Sequence, residues 1–366
     1  MSVAFCISGH GFGHASRQVE VINALGALCP SLPLTLYTVA SRWLLDRTIC
    51  VPATIVDLAC DTGAVQRDSL ELDIPATLAA AAAFEQRADA QAVRLARHFA
   101  DRATRVVVCD VPAMPCSAAA VASLPAVALS NFTWDWIYDD FTADHPGYEA
   151  LPDRLRARYA EASAAWRLPM AGGFGGFSTV LDMPWIARRS WRDPGDTRRV
   201  LGVADERRPL VLLSFGGYGV SGWNLERHAG APYRLVISGG AVSEPGGLPA
   251  DALDIPRDWL QAQGLRYEDL VAACDVVVSK PGYGIVSECV ANQTALLYTD
   301  RGRFREYDVM VEAMPRVLRA RYLTQDALAH ARWDEDVATL LSQAAPPERP
   351  LVNGADVAAG MIAAMV

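Results

Sequence analysis

Two short stretches combine glycine, charge and titratable side chains at spacings that suit chemistry. Gly9-His10-Gly11-Phe12-Gly13-His14-Ala15-Ser16-Arg17 follows the apolar run Val3-Ala4-Phe5-Cys6-Ile7-Ser8 and precedes a segment in which Val19, Ile22 and Leu25 recur every three residues. Lys280-Pro281-Gly282-Tyr283-Gly284-Ile285-Val286-Ser287-Glu288 follows Asp275-Val276-Val277-Val278-Ser279 in the same way. A strand, a glycine turn and a helix start leave unpaired backbone N–H groups open to an anion, with no Cβ in the way of a diphosphate.

The two corners differ in what they add. In the second, Gly282 and Gly284 open the helix, with Tyr283 between them, and Lys280 adds positive charge. Glu288 lies about one turn in, where a carboxylate can take the two hydroxyls of a ribose. A plain tight turn and a solvated helix carboxylate are the other readings. The first corner has no Walker lysine, and its Gly9-x-Gly11-x-Gly13 spacing departs from the GxGxxG dinucleotide fingerprint. It offers His14 instead, a side chain that titrates near neutrality and suits a general base on a hydroxyl. His10 and His14 equally fit hydrogen bonding to loop backbone, and Arg17 fits either a phosphate or carboxylate contact or a surface charge.

Other candidates sit at strand ends. Asp110 closes Arg105-Val106-Val107-Val108-Cys109 and is either a site carboxylate or a turn cap. Asn131 follows Ala126-Val127-Ala128-Leu129-Ser130, and Trp134 and Trp136 beyond it could stack on a sugar or pack in the core. Asp61 opens a polar loop, Asp61-Thr62-Gly63-Ala64-Val65-Gln66-Arg67-Asp68, of the kind that faces a cleft. Phe215-Gly216-Gly217-Tyr218-Gly219 is a further glycine corner. Arg305 and Glu306 fit either donor-sugar hydroxyls or an exposed charged turn.

The elements needed to position these residues alternate between strand and helix patterns. Strands are expected at 3–8, 34–39, 54–58, 105–110, 126–130 and 177–182, then at 209–214, 234–238, 275–279 and 295–299, with a long alanine-rich helix over 75–101. This alternation predicts two doubly wound parallel sheets. In such sheets ligands bind beyond the carboxyl ends of the strands, where the 9–17 loop, Asp110 and Asn131 share one rim. The breaker-rich run 188–196 marks the join. The expected division is one domain over 1–190, a second over 191–350, and a C-terminal helix over 351–366 that packs back on the first.

Composition narrows the function. With 366 residues and 51% hydrophobic content the chain can fill two cores. A net charge of −9 and no basic stripe argue against a nucleic-acid partner. The apolar runs fall short of the roughly 20 residues a bilayer span needs, and no signal peptide is evident, so a cytoplasmic protein without an integral membrane segment is expected. The eight cysteines form no CxxC pair and no HExxH or similar ligand pattern appears, so neither a metal nor a disulfide framework is expected.

On these motifs the chain resembles GT-B glycosyltransferases, in particular the group containing the lipid-linked N-acetylglucosaminyltransferase of peptidoglycan synthesis. Gly9-His10-Gly11-Phe12-Gly13-His14 is similar to that group's GGxGGH loop, with His14 on the position of the acceptor base. Gly282 to Glu288 is similar to its SGxxTxSE-like donor corner, with Glu288 on the ribose position. His10 and Phe12 replace smaller family residues. A closer resemblance, through GHGFGHASR, DTGAVQRDSLELD, SNFTWDWIY, SFGG and KPGYGIVSE, is to the N-terminal glycosyltransferase-like region of plant L-arabinokinases. The Gly-Leu-Ser-Ser-Ser loop of their GHMP-type kinase module does not occur, so kinase activity is not expected.

The resemblance implies an inverting, metal-independent glycosyltransferase with no cofactor beyond a nucleoside-diphosphate sugar, commonly uridine-linked, as co-substrate. It also implies acceptor-side and nucleotide-sugar-binding roles for the domains over 1–190 and 191–350, in that order. His14 would be the base, assisted by Asp110. Gly13, Gly216, Gly217, Arg266, Lys280, Gly282, Tyr283, Gly284, Glu288, Arg305 and Glu306 would bind the donor. His10, Phe12, Arg17, Asp61, Asn131 and Trp134 would face the acceptor. Two other readings share the fold: a regulatory sugar-nucleotide-binding protein without turnover, and a sugar-nucleotide 2-epimerase.

Overall fold

A computed structural model describes residues 1–216, 225–239, 247–256 and 258–366. The first half builds a seven-stranded sheet from β1 (Ser2–Ile7), β2 (Leu34–Thr38), β3 (Thr54–Asp57), β4 (Thr104–Asp110), β5 (Ala126–Phe132), β6 (Ala164–Gly172) and β7 (Val180–Asp182). Their order is β3-β2-β1-β4-β5-β6-β7 and every pairing is parallel. The second half repeats the plan with β8 (Leu210–Leu213), β9 (Arg234–Ser238), β10 (Leu253–Ile255), β11 (Val276–Ser279), β12 (Ala295–Tyr298) and β13 (Ala320–Tyr322), in the order β10-β9-β8-β11-β12-β13. The chain is thus two Rossmann-like α/β units.

Each sheet reverses its winding direction once, between β1 and β4 and between β8 and β11, and a crevice opens at each reversal. The Gly9–Gly13 turn leaves β1 beside Asp110 at the end of β4, because Ile7 and Asp110 are register partners. Lys280–Gly284 leaves β11 beside the Ser214–Gly216 turn that follows β8, and the Ser214 N–H donates to the Val278 carbonyl at 2.9 Å. Both sequence-derived corners therefore lie at the reversals. The strands there are fully buried runs of Val, Ala, Phe, Leu and Ile, as parallel strands covered on both faces must be.

Three strands were not expected. β6 carries Pro169 in its interior, a residue that argues against a central strand. The pairing with β5 steps from Ser130↔Arg167 to Phe132↔Gly172, and the irregular stretch between holds Pro169 together with Met170 at φ 56°. A bulge accommodates the missing N–H. β10 and β13 are three residues each, too short to show an alternation. The expected strand over 177–182 is confined to Val180–Asp182. All eight cysteines are free.

The C-terminal helix Gly354–Ala363 lies against the helix Gly13–Leu28 of the first half, and Ala358, Ala359 and Ile362 share a buried cluster with Val19 and Ile22. Its start is pinned: the Gly354 N–H donates to the Trp185 carbonyl at 2.9 Å, and a Cβ at 354 would sit 2.3 Å from the Pro184 oxygen. Its far end is open, since a Cβ at Gly360 would meet nothing within 4 Å. Gly360→Ala should therefore raise stability by about 0.5–1 kcal/mol through backbone entropy. Gly354→Ala should lower it by about 1–3 kcal/mol through overpacking. Urea midpoints measure both, and equal effects of one sign would contradict this packing.

Candidate active site

Asp110 is fully buried at the end of β4 and collects donors from the first helix. Arg17 donates Nε to Oδ2 at 2.6 Å and Nη2 to Oδ1 at 2.5 Å, and Gln18 donates Nε2 to Oδ2 at 2.9 Å. His14 Nδ1 stands 2.9 Å from Oδ1. Burial alone would raise the Asp110 pKa, but the Arg17 guanidinium and then His14 outweigh it and hold the carboxyl at about 2. Arg17 Nη2 also stands 2.9 Å from Nδ1 but already donates to Asp110 Oδ1, and a carboxylate is the stronger partner for an Nδ1 proton, so we assign the Nδ1–H tautomer to His14. That leaves the Nε2 lone pair without a bonded partner among the described residues, on a side chain that lines the interdomain cleft. Phe132 packs edge-on to the imidazole at 5.5 Å and fixes its plane.

Arg17 also reaches across the join. Its Nη1 donates to Asn131 Oδ1 at 2.6 Å, and Asn131 Nδ2 donates to Glu306 Oε1, in the second half, at 2.7 Å. The guanidinium carbon lies 5.0 Å from the centre of the Tyr283 ring. Arg17 is thus a buried brace with a partner on each of its nitrogens, and it also lies on the cleft wall. Asn131 and Glu306 do line the cleft, bonded to each other.

Two helices begin at the cleft, Gly13–Leu28 and Tyr283–Asn292. Neither N-cap residue, Phe12 or Gly282, makes a side-chain capping bond, and neither first turn holds an acidic residue. They meet glycine to glycine: a Cβ on Gly284 would lie 3.4 Å from Gly13 Cα. Two uncapped, positive helix ends converge on one spot. Around them is a cavity of about 550 Å³ whose wall includes His10, Phe12, His14, Gly216, Arg266, Lys280, Gly282 and Glu288. Gly217 lies outside the described residues.

Other expected residues are placed differently. Trp134 is in the core, stacked on Tyr138 at 5.3 Å, and its Nε1 donates to Asp61 Oδ2 at 2.8 Å. Ser8 Oγ donates to the other Asp61 oxygen at 3.0 Å. Neither Trp134 nor Asp61 reaches the cleft wall. Together they support His10, whose ring meets Trp134 at 5.7 Å and whose Nδ1 accepts the Ala64 N–H at 3.3 Å. Burial, then the neighbouring His14, Arg301 and Lys280, push the His10 pKa well down, so its ring is neutral. Arg305 points away from the cleft, with its guanidinium 4.8 Å from the Trp136 ring. The Tyr283 ring stacks on Trp185 at 5.6 Å along the seam between the halves.

Glu288 is buried, and Arg188 grips its Oε1 through Nε at 2.7 Å and through Nη2, leaving Oε2 free of a described partner. Arg266 pairs with Glu268 at 2.9 Å. Arg188 and Arg301, both on the cleft wall, escaped the sequence reading. Arg188 sits in the linker, where charge reads as solvation, and Arg301 is one of three arginines in five residues. Among the described residues no group of three or more His, Cys, Asp or Glu is placed to hold a metal ion, and no helix is long and apolar enough to cross a membrane.

Two Rossmann-like units facing across a cleft, with glycine corners from each meeting inside it, define the GT-B glycosyltransferase fold. Solved structures agree. The glycotransferase of kitacinnamycin superposes with a TM-score of 0.64 at 15% identity, covering 100% of this chain and 99% of that one. A UDP-glucosyltransferase from Polygonum tinctorium gives 0.62 at 12%, covering 99% and 93%, and SnogD from Streptomyces nogalater gives 0.58 at 17%, covering 100% and 99%. In sequence, the chain is 30% identical over 308 residues to the L-arabinokinase of Arabidopsis thaliana. That alignment takes in 83% of this chain and 28% of the relative's length. No protein-family model matches.

The Asp110 cluster generates a pH prediction. Its carboxyl is drawn from the ordinary 3.8 to about 2 in the fold, so ionised Asp110 stabilises the native state above pH 4. The contribution, about 2 kcal/mol, is lost as the pH falls through 4 towards 2. Asp110→Asn leaves Arg17 buried without its counter-charge and should cost about 3–5 kcal/mol at neutral pH. The variant should also lose stability less steeply in acid, as denaturant titrations at pH 7 and pH 3 would register. An unchanged acid slope would mean that another carboxylate dominates.

Proposed function

We propose that this chain is an inverting glycosyltransferase that moves a sugar from a nucleoside-diphosphate sugar, with uridine as the preferred nucleoside, to an acceptor hydroxyl. The observation that carries the reading is the convergence of two uncapped helix ends at Gly13 and Gly284, with the free Nε2 of His14 one residue along. His14 Nε2 takes the acceptor proton, and the imidazolium that forms is stabilised by Asp110. The acceptor oxygen attacks the anomeric carbon from the face opposite the diphosphate. As that bond forms, the bond from the anomeric carbon to the phosphate oxygen breaks, and its electron pair leaves with the diphosphate. The helix ends, aimed where that charge develops, carry the load a divalent ion would otherwise take. Glu288 Oε2 is the group offered to the ribose.

The charge of the cleft supports an anionic donor. Arg17, Arg47, Arg188, Arg266, Lys280 and Arg301 line it against Glu268, Glu288 and Glu306, in a protein of net charge −9. The L-arabinokinase likeness supports a sugar as the molecule handled. His14→Ala should lower transfer by about 10²–10⁴-fold while leaving nucleoside-diphosphate affinity within about threefold. Product analysis over an acceptor panel and calorimetry with UDP, dTDP, GDP and ADP test the two halves. Full transfer by His14→Ala would remove the base, and no binding to any of the four would remove the donor.

A further inference from the structure

Arg301 has no task in the chemistry above, yet it is 6% exposed and turned inward from the loop after β12. A guanidinium carries five N–H donors. Nη1 makes two long contacts, to Glu306 Oε2 and to the Pro281 carbonyl, both at 3.3 Å. Nε is buried with no partner among the described residues. The cation lies over the Phe304 ring, 4.2 Å from its centre, which orients it without consuming a donor. Close by is Lys280, whose ammonium makes no bond or ion pair among the described residues. Burial, and then Arg301, push the Lys280 pKa down to about 7, with Asp68 and Glu306 pulling the other way. Two basic side chains, Arg301 buried and Lys280 half-buried, share one wall of the cleft, and the Glu306 carboxylate beside them is already divided with Asn131. Unspent buried donors on charged groups are costly, so a site of this kind is built for an anion.

The geometry says which anion. Gly13 covers the helix end on the Gly284 side, whereas Gly282 leaves the other side open: a Cβ there would already stand 3.7 Å from Arg301 Nη1. Arg301 is also at the reacting end of the cleft. Phe304 beneath it lies 6.5 Å from the His10 ring and 6.0 Å from Phe132, the ring that packs on His14. Glu288 and Arg266 belong to the nucleoside end. We propose that Arg301 and Lys280 form a two-cation clamp on the distal phosphoryl group of a nucleoside diphosphate, with Arg301 a catalytic residue that holds the leaving group. The assignment rests on the nucleotide-sugar reading. In the reaction the clamp meets the oxygen that accepts the electron pair when the bond to the anomeric carbon breaks, so its grip tightens as the sugar departs.

The test separates the two phosphates. Calorimetry with UDP and UMP on the wild-type chain gives an affinity ratio that reports the distal phosphoryl group. Arg301→Met should weaken UDP by about 10–100-fold and UMP by no more than about threefold, collapsing the ratio. Arg301→Lys should recover part of it, and matched thermal melts of all variants establish that the fold is kept. Lys280→Met should lower the ratio as well. At pH 8, UDP binding to the wild type should take up protons, seen as a dependence on buffer ionisation enthalpy, and Lys280→Met should abolish that uptake. Wild-type binding of UDP with an unchanged UDP-to-UMP ratio in Arg301→Met overturns the clamp alone. Failure of the wild type to bind UDP, with GDP, dTDP and ADP also failing, overturns the nucleotide-sugar reading and the clamp with it.

Discussion

The buried pair of Asp110 and Arg17 is the interaction on which the remaining site depends. A carboxylate with no solvent exposure is tolerable only if its oxygens are filled, and here two Arg17 nitrogens, Gln18 and His14 fill them. The same bonds hold His14 in one tautomer and lock the first turns of the helix Gly13–Leu28 onto the end of β4. Arg17 then passes order outward. Its remaining nitrogen sets Asn131, Asn131 sets Glu306, and its π contact seats Tyr283, so residues of the second half are positioned by a charge pair in the first.

This explains why two helix ends can point at one another without acidic caps. Positive ends placed nose to nose repel, and a lone helix would satisfy its first N–H groups with a Ser, Thr or Asp side chain. Here the cap residues are Phe12 and Gly282, neither of which carries a side-chain oxygen, and the helices approach closely enough that a Cβ on Gly284 would touch Gly13. The unsatisfied N–H groups, with Lys280 and the spare donors of Arg301, make the cleft electropositive at its centre.

Much of this was legible in the sequence because it depends on local rules. Continuous Val, Ala and Ile runs mark parallel strands, and a glycine turn between such a run and an amphipathic stretch marks a strand-to-helix corner; Gly11, at φ 65°, is one place where the turn demands glycine. His14 and Asp110 could be paired because strand ends of one sheet share a rim. What escaped depends on direction. Trp134 and Trp136 are two residues apart on one helix, so they face opposite ways, and only packing decides that Trp134 goes to the core. Arg301, Arg303 and Arg305 look alike in a loop, yet the first turns into the cleft, the second pairs with Asp140 at 2.8 Å and the third lies on Trp136. No periodicity distinguishes them. Pro169 hid a central strand because a bulge, invisible in composition, absorbs it.

The proposed base and the proposed leaving-group site come from different halves, so their separation is set by how the halves are held, and misplacement by about 1 Å is costly to a reaction of this kind. Several contacts hold them. Ser69 Oγ donates to the Phe215 carbonyl at 2.6 Å, Arg303 pairs with Asp140, and Arg47 donates to Asp258 at 2.9 Å. The Arg303 and Arg47 pairs are exposed, and exposed ion pairs contribute roughly 0–1 kcal/mol each. Buried contacts join them as well: Asn131 bonds Glu306, Ser69 bonds Phe215, and one apolar cluster runs from Val19, Trp185 and Ile186 to Tyr283, Met310 and Met314. An anion bridging the helix ends would interact with both halves at once and would deepen the closed state as it binds.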